Sequence, residues 1–206
     1  MKLLVKAVAA GFGGGLLMVI TMNAPTGATN VAAPILAASA QRNDAIASFT
    51  FHADIAMRMQ HFPWLHFHMQ GYGDYQRGDH YVVHLTGGMF ASKVHQIDLS
   101  MIDPALWPGR YRHTIIAQRD GDTLFSLQAI QDPSLQSATV ALSPIYGPQW
   151  VDATYSQGMH IHMVVSSNNV DGFLLPVALT ADVDYPHMPL VADADFTDYS
   201  INAMAH

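Results

Sequence analysis

Residues 49–59 read FTFHADIAMRM, and this stretch decides the fold class. Every odd position from Phe49 to Met59 is apolar, whereas the even positions are polar with the exception of Ala56. Successive side chains of a β-strand point to opposite faces of the sheet. A period of two over these residues therefore predicts a long strand with one buried face and one wet face.

Two further strands follow with the same alternation. The sequence predicts a second strand over residues 64–75 and a third over residues 80–85, joined by a turn at residues 76–79. Three consecutive antiparallel strands of this kind share one apolar face. Its predicted members are Phe49, Phe51, Ile55, Met57, Met59, Leu65, Phe67, Met69, Tyr75, Tyr81, Val83 and Leu85.

The rest of the chain continues in short strand-like segments separated by turn residues. These predicted strands lie at residues 110–118, 123–130, 137–142, 150–156, 159–166 and 173–183. Residues 32–48 are predicted to contain a short helix, residues 92–102 form a helix or an irregular crossing, and the tail 184–206 alternates only weakly. About nine or ten strands with short turns indicate a sandwich or a barrel in one domain.

The composition excludes several classes of function. Glutamate is absent and lysine is rare, which argues against a helical bundle because both residues are good helix formers. The absence of cysteine excludes disulfides, thiolate nucleophiles and thiolate metal sites. The formal net charge is −7 and the sequence has no basic run, so we expect no nucleic-acid partner.

The N-terminus has the layout of a secretory signal. Residues 1–6 carry two positive charges, and residues 7–20 are uncharged and mostly apolar or glycine. We expect a signal peptide over residues 1–28, with cleavage as late as residue 40, and a single domain over residues 29–206. The protein would then be periplasmic or otherwise extracytoplasmic. An uncleaved membrane anchor is the alternative interpretation.

Four short motifs carry a resemblance to a known family. They are the hairpin GYGDYQRGDH at residues 71–80, the turn DGD at 120–122, the turn YSQG at 155–158 and the strand GFLLP at 172–176. With the order of the surrounding segments, they resemble the bacterial lipoprotein-carrier superfamily, which has the LolA-like fold, and the uncharacterised exported proteins related to it. The resemblance covers roughly residues 32–202.

This resemblance implies a mainly β (α+β) fold. The expected architecture is a curved, incompletely closed antiparallel sheet, a half-barrel, with one or two covering helices over an apolar cavity. It also implies a ligand-binding protein. The sequence has no G-x-S-x-G, H-E-x-x-H or P-loop pattern, so we expect no catalytic residues and no cofactor. The expected partners are a lipid or a lipidated protein, with transient contact to a membrane or a membrane protein. In carriers of this family, an arginine in one of the early strands holds the helical lid closed. Arg58 is the nearest candidate in this sequence, but it falls among the polar positions of its strand, so we do not assign it that role.

The twelve apolar residues listed above would line the cavity. Burial of an acyl chain against them would gain about 0.8 kcal/mol per methylene. The sequence leaves two alternatives open. The same residues fit a structural envelope protein with a filled core. The pairs His66/His68 and His160/His162 fit a His/Met-rich periplasmic metal-binding protein, since residues i and i+2 share a face of a strand.

Overall fold

The computed structural model describes residues 34, 36–38, 43–88, 95–119, 121–143, 147–186 and 188–203. The predicted signal peptide and both predicted cleavage positions lie outside these residues. Residues 34 and 36–38 are helical. Within the described ranges, no helix has the length and hydropathy needed to cross a bilayer.

The described residues form one antiparallel sheet of eleven strands. The strands are β1 Ile46–Met59, β2 His66–Gln76, β3 His80–Gly87, β4 Gln96–Asp98, β5 Tyr111–Arg119, β6 Asp122–Ala129, β7 Leu135–Ser143, β8 Gly147–Tyr155, β9 His160–Val170, β10 Phe173–Asp184 and β11 Leu190–Ala203. Short 3₁₀ turns occur at Ser100–Ile102, Pro104–Leu106 and Ser156–Gly158. The predicted mainly β fold class is confirmed.

The strand order is β4-β3-β2-β1-β11-β10-β9-β8-β7-β6-β5. Each run of consecutive strands is a simple meander, and the pairing of β1 with β11 joins the two runs into one sheet. In this central pair Phe49 lies opposite Ile201 and Met59 lies opposite Leu190. The edge strands are β4 and β5, so the sheet is not closed.

The sheet curls strongly around its buried face. Eleven strands spaced about 4.8 Å apart would hold the two edges about 48 Å apart if the sheet were flat. Instead, Arg110, which precedes β5, forms an ion pair of 3.6 Å with Asp98 of β4. The hydroxyls of Ser100 and Tyr111 also lie 3.1 Å apart. The two edges therefore approach within side-chain reach, as expected for a half-barrel.

Residues 99–107, the crossing segment, run from one edge of the sheet toward the other. Its apolar side chains are buried, and Trp107 is 0% exposed. The indole N–H of Trp107 donates to the carbonyl of Met101 at 3.1 Å, and its ring packs edge-on against Phe125 at 5.4 Å. The crossing segment therefore fills part of the space inside the curled sheet.

An aromatic cluster fills the neighbouring space on strands β1, β2, β3 and β11. Phe49 stacks on Tyr75 at 4.5 Å, and Phe51 packs against Phe196 at 4.9 Å and Tyr199 at 5.2 Å. Both phenylalanines lie on the inner face, as the alternation predicts. This part of the interior is a packed core.

One sequence prediction needs correction, and the structure resolves two regions that the sequence left open. The helix predicted to end near residue 48 is wrong at its C-terminal end, because β1 begins at Ile46 and pairs with β11 there. Of residues 92–102, the described part forms β4 and a 3₁₀ turn, which agrees with an irregular crossing and not with a helix. The weakly alternating tail contains β11, a central strand of 14 residues.

Candidate functional site

The twelve side chains of the predicted apolar wall divide into two groups. Eight are buried: Phe49, Phe51, Ile55, Met69, Tyr75, Tyr81, Val83 and Leu85. They pack against other side chains of the protein, so these two thirds of the wall are packed core. The other four, Met57, Met59, Leu65 and Phe67, are only half-buried.

Burial decreases along β1 toward the hairpin that joins it to β2. Ile55 is buried, whereas Met57 and Met59 on the same face are half-exposed. The same change occurs across the sheet, because Ala194, next to Ile55, is buried and Leu190, next to Met59, is half-exposed. The interior of the half-barrel therefore opens toward this hairpin.

The open part of the inner face carries a continuous apolar strip, which we call the apolar trough. Cross-strand pairing places its members side by side over strands β2, β1, β11, β10 and β9. Four strand spacings make it about 19 Å wide. Its half-buried residues are Phe67, Met57, Met59, Ala192, Leu190, Val183, Met163 and Ile161, and five of them, Met57, Ala192, Val183, Met163 and Ile161, also pack against the buried core.

The tip of the β1–β2 hairpin adds two exposed aromatic side chains beside the trough. Trp64 is 74% exposed and Phe62 is 49% exposed, and their rings pack edge-on at 6.0 Å. Leu65, predicted in a strand, lies just before β2 in this tip. The tip is anchored by Gln60, whose backbone N–H donates to the carbonyl of Pro189 at 3.0 Å. Residues 60–68 contain no acidic side chain in a chain of net charge −7.

The opposite part of the interior contains a small chamber of about 60 Å³ between the crossing segment and the sheet. A water molecule needs about 10 to 15 Å³ of such space, so the chamber holds a few water-sized groups and no acyl chain. The predicted wall residues Phe49, Tyr75 and Tyr81 border it. The chamber itself therefore has no room for a long apolar ligand.

The histidines of the metal-binding alternative lie on the outer face in two separate places. His66 and His68 are on β2, whereas His160 and His162 are on β9. Four strand spacings separate the two pairs, about 19 Å, so the four imidazoles do not meet at one ion. Over the part of the chain that the structure describes, no three histidine or aspartate side chains are placed to hold a metal ion.

Aspartates partner several of these outer-face histidines. His162 Nδ1 lies 2.8 Å from Asp152 Oδ1, and His160 Nε2 lies 3.7 Å from the same oxygen. His80 lies between Asp79 at 2.9 Å and Asp74 at 3.1 Å. The hydrogen bond to Asp79 raises the pKa of His80, and the bond to Asp74 adds to this effect. These imidazoles serve as polar partners on the wet face of the sheet.

Five of the eight trough residues were not among the predicted wall residues. Met163, Ile161 and Val183 belong to predicted strands but were not assigned to the apolar wall. Leu190 and Ala192 come from the tail, whose pattern was too weak to define a strand. Only the pairing of β11 with β1 brings them beside Met57 and Met59.

Comparisons with known proteins support the fold. No family model matches the chain, and no curated protein sequence matches it. A LolA superfamily protein from Nitrosomonas europaea has a similar structure, with a TM-score of 0.60 and 14% sequence identity over 84% of this chain and 94% of that chain. An outer membrane lipoprotein-sorting protein domain from Vibrio parahaemolyticus gives a TM-score of 0.55 at 9% identity, over 82% of this chain and 91% of that chain.

A second kind of protein shares the architecture. A member of the DUF1329 family from Desulfovibrio piger gives a TM-score of 0.58 at 8% identity, over 86% of this chain and 94% of that chain. At these low identities the likeness extends to the fold and no further. The resemblance that the sequence motifs indicated is confirmed at this level: the chain has the LolA-like fold.

Proposed function

We propose that this protein is an exported, non-enzymatic lipid-binding protein that holds an acyl chain, of a lipid or a lipidated protein, in the apolar trough. The observation that carries the proposal is the continuous, partly exposed apolar strip on the inner face of the sheet. Soluble proteins rarely expose contiguous apolar surface without a binding role. The LolA-like fold supports the same class of ligand.

The chemistry of the trough suits a flexible apolar chain. Its wall combines a phenylalanine, branched aliphatic residues and three methionines, and methionine side chains adapt to ligands of variable shape. Each methylene fully removed from water contributes about 0.8 kcal/mol, and an open trough covers only one side of the ligand. Binding would therefore be reversible, as transfer between partners requires.

A charge in the trough should weaken this binding. In the Phe67→Asp variant, a ligand would bury an unpaired carboxylate, so we expect the affinity for a dansyl-labelled fatty acid to fall by about tenfold or more. Fluorescence titration of the purified protein measures the affinity. Mass spectrometry of an organic extract of the same preparation should detect a lipid that copurifies with the wild type.

The matched control is His66→Asp, on the adjacent position of the same strand. His66 is exposed on the outer face, so this variant should bind the fatty acid as the wild type does. Equal affinities for the two variants, or no saturable binding by the wild type together with lipid-free extracts, would remove the basis of the proposal.

The exposed hairpin tip is the expected contact with a lipid surface. Trp64 and Phe62 suit the interface between headgroups and acyl chains, where aromatic rings are favoured, and the tip lacks acidic residues that anionic headgroups would repel. A lipid that leaves the bilayer at this tip would enter the trough directly, because Leu65 and Met59 lie at its base.

Trp64→Ala should therefore weaken membrane contact without unfolding the protein. We expect at least a severalfold loss of binding to phosphatidylglycerol–phosphatidylethanolamine vesicles in a flotation assay. Ile116→Ala provides the control, because Ile116 is 55% exposed on the edge strand β5, away from the tip. A similar loss for both variants would argue against the tip as the contact.

A further inference from the structure

The small chamber has polar atoms without partners. Over the described residues, the buried side-chain atoms that lack a hydrogen bond are Asn43 Oδ1, Tyr81 OH and His113 Nδ1. Asn43 and Tyr81 both line the chamber of about 60 Å³, and Tyr81 is only 2% exposed. A buried polar group that lacks a partner costs about 1 to 3 kcal/mol, so these atoms favour a hydrogen-bonding group, from water or from a ligand, inside the chamber.

The charged residues near the chamber already have partners. Asp103, whose pKa is raised by burial, accepts hydrogen bonds from the Tyr75 hydroxyl and from the backbone N–H of Ala105. The Arg77 guanidinium binds Asp44. Arg77 is therefore already paired and Asp103 adds a negative charge, so the described lining offers no unpaired cation and a neutral ligand fits better than an anion.

The unpaired atoms specify the ligand's chemistry. The amide nitrogen of Asn43 donates to the carbonyl of Leu174 at 2.9 Å, which leaves Oδ1 as an acceptor. The Tyr81 hydroxyl both donates and accepts. A hydroxyl group on the ligand matches this pair, because one O–H can donate to Asn43 and accept from Tyr81.

A larger surface cleft borders the chamber. The cleft, of about 340 Å³, shares Arg77, Pro104 and Ala105 with the chamber. Its other lining residues are mostly apolar or small, and they include His113, whose Nδ1 is the third unpaired atom. A ligand with its hydroxyl in the chamber would place an apolar body in the cleft.

We propose that the chamber and cleft form a binding site for a small neutral alcohol, with the hydroxyl group held between Asn43 and Tyr81. This site lies on the other side of the aromatic cluster from the apolar trough and is independent of the acyl-chain proposal. This site would bind a ligand through its terminal hydroxyl group, whereas the trough would bind a ligand through its hydrocarbon chain.

Two isomeric probes test the site. 1-Hexanol has a hydroxyl donor, and 1-methoxypentane has the same atoms but no donor. We expect 1-hexanol to shift the methyl NMR signal of Ile102, a chamber residue, saturably, and 1-methoxypentane to bind roughly three- to tenfold more weakly. Equal affinities of the two isomers would overturn the proposal, as would no saturable shift by 1-hexanol.

Variants locate the interaction. Tyr81→Phe keeps the ring and removes a hydroxyl that has no partner in the protein, so it should fold and should lose the preference for 1-hexanol. Tyr72→Phe removes an exposed hydroxyl and should leave that preference unchanged. Phe67→Asp should also leave it unchanged, which separates this site from the trough. Hexanol binding that is unaffected by Tyr81→Phe would contradict the assignment.

Discussion

Replacing Trp107 with alanine is expected to lower the free energy of unfolding by about 3 to 5 kcal/mol. Trp107 is fully buried in the crossing segment, where its ring packs against Phe125 and its N–H donates to Met101. Truncation leaves a cavity and a buried carbonyl without its donor, and both effects are unfavourable. Urea denaturation followed by circular dichroism measures the loss.

The size of this effect tests the role of the crossing segment. Domains of this kind are stable by only about 5 to 15 kcal/mol, so the predicted loss is a large share of the total. Trp64→Ala makes the same chemical change at a site that is 74% exposed, and we expect its effect to stay within about 0.5 kcal/mol. A Trp107 variant as stable as the Trp64 variant would show that the crossing segment does not belong to the core.

Adding one methyl group at Gly73 is expected to destabilise the protein by about 1 to 3 kcal/mol, or more. A Cβ at this position would lie 1.8 Å from Cε1 of Phe51, whose ring covers the glycine from the neighbouring strand. The ring has no free direction in which to move, because Phe196 and Tyr199 pack against it. Thermal unfolding of Gly73→Ala should show the loss as a lower midpoint.

Gly87→Ala is the matched control for this substitution. A Cβ at Gly87, on β3, meets no atom within 4 Å, so alanine fits there and restricts the unfolded chain. We expect unchanged or slightly higher stability. If Gly73→Ala were equally harmless, Phe51 would not be packed over the glycine, and the aromatic cluster would be looser than the structure shows.

The stability of these core variants also helps to interpret the binding experiments, because it shows how large an effect a true loss of core packing has. The half-exposed residues of the trough contribute less to the core than Phe51 or Trp107, so Phe67→Asp should disturb binding more than folding. A binding loss measured on a protein with a normal unfolding curve can then be assigned to the trough itself.

The local pattern predicted which side of each strand faces inward. In residues 49–59 the odd side chains face the interior, because the side-chain period of a strand is set by its backbone geometry. The same rule placed the outer-face histidines of β2 and β9 on the wet surface. The turn at Gly78 was also predictable, and its φ of +72° suits glycine. The four motifs that indicated the LolA-like fold are local features of this kind.

By itself, the sequence determined strand alternation, turn chemistry and the absence of thiol chemistry, because these depend on residues close together in the chain. Only the tertiary structure decided which apolar residues are buried and which form the trough. That outcome depends on β11 pairing with β1 across more than 130 positions and on the crossing segment filling one half of the curled sheet. Alternation shows which face of the sheet a side chain points to. Whether that side chain is buried depends on which residues, far away in the sequence, pack against it.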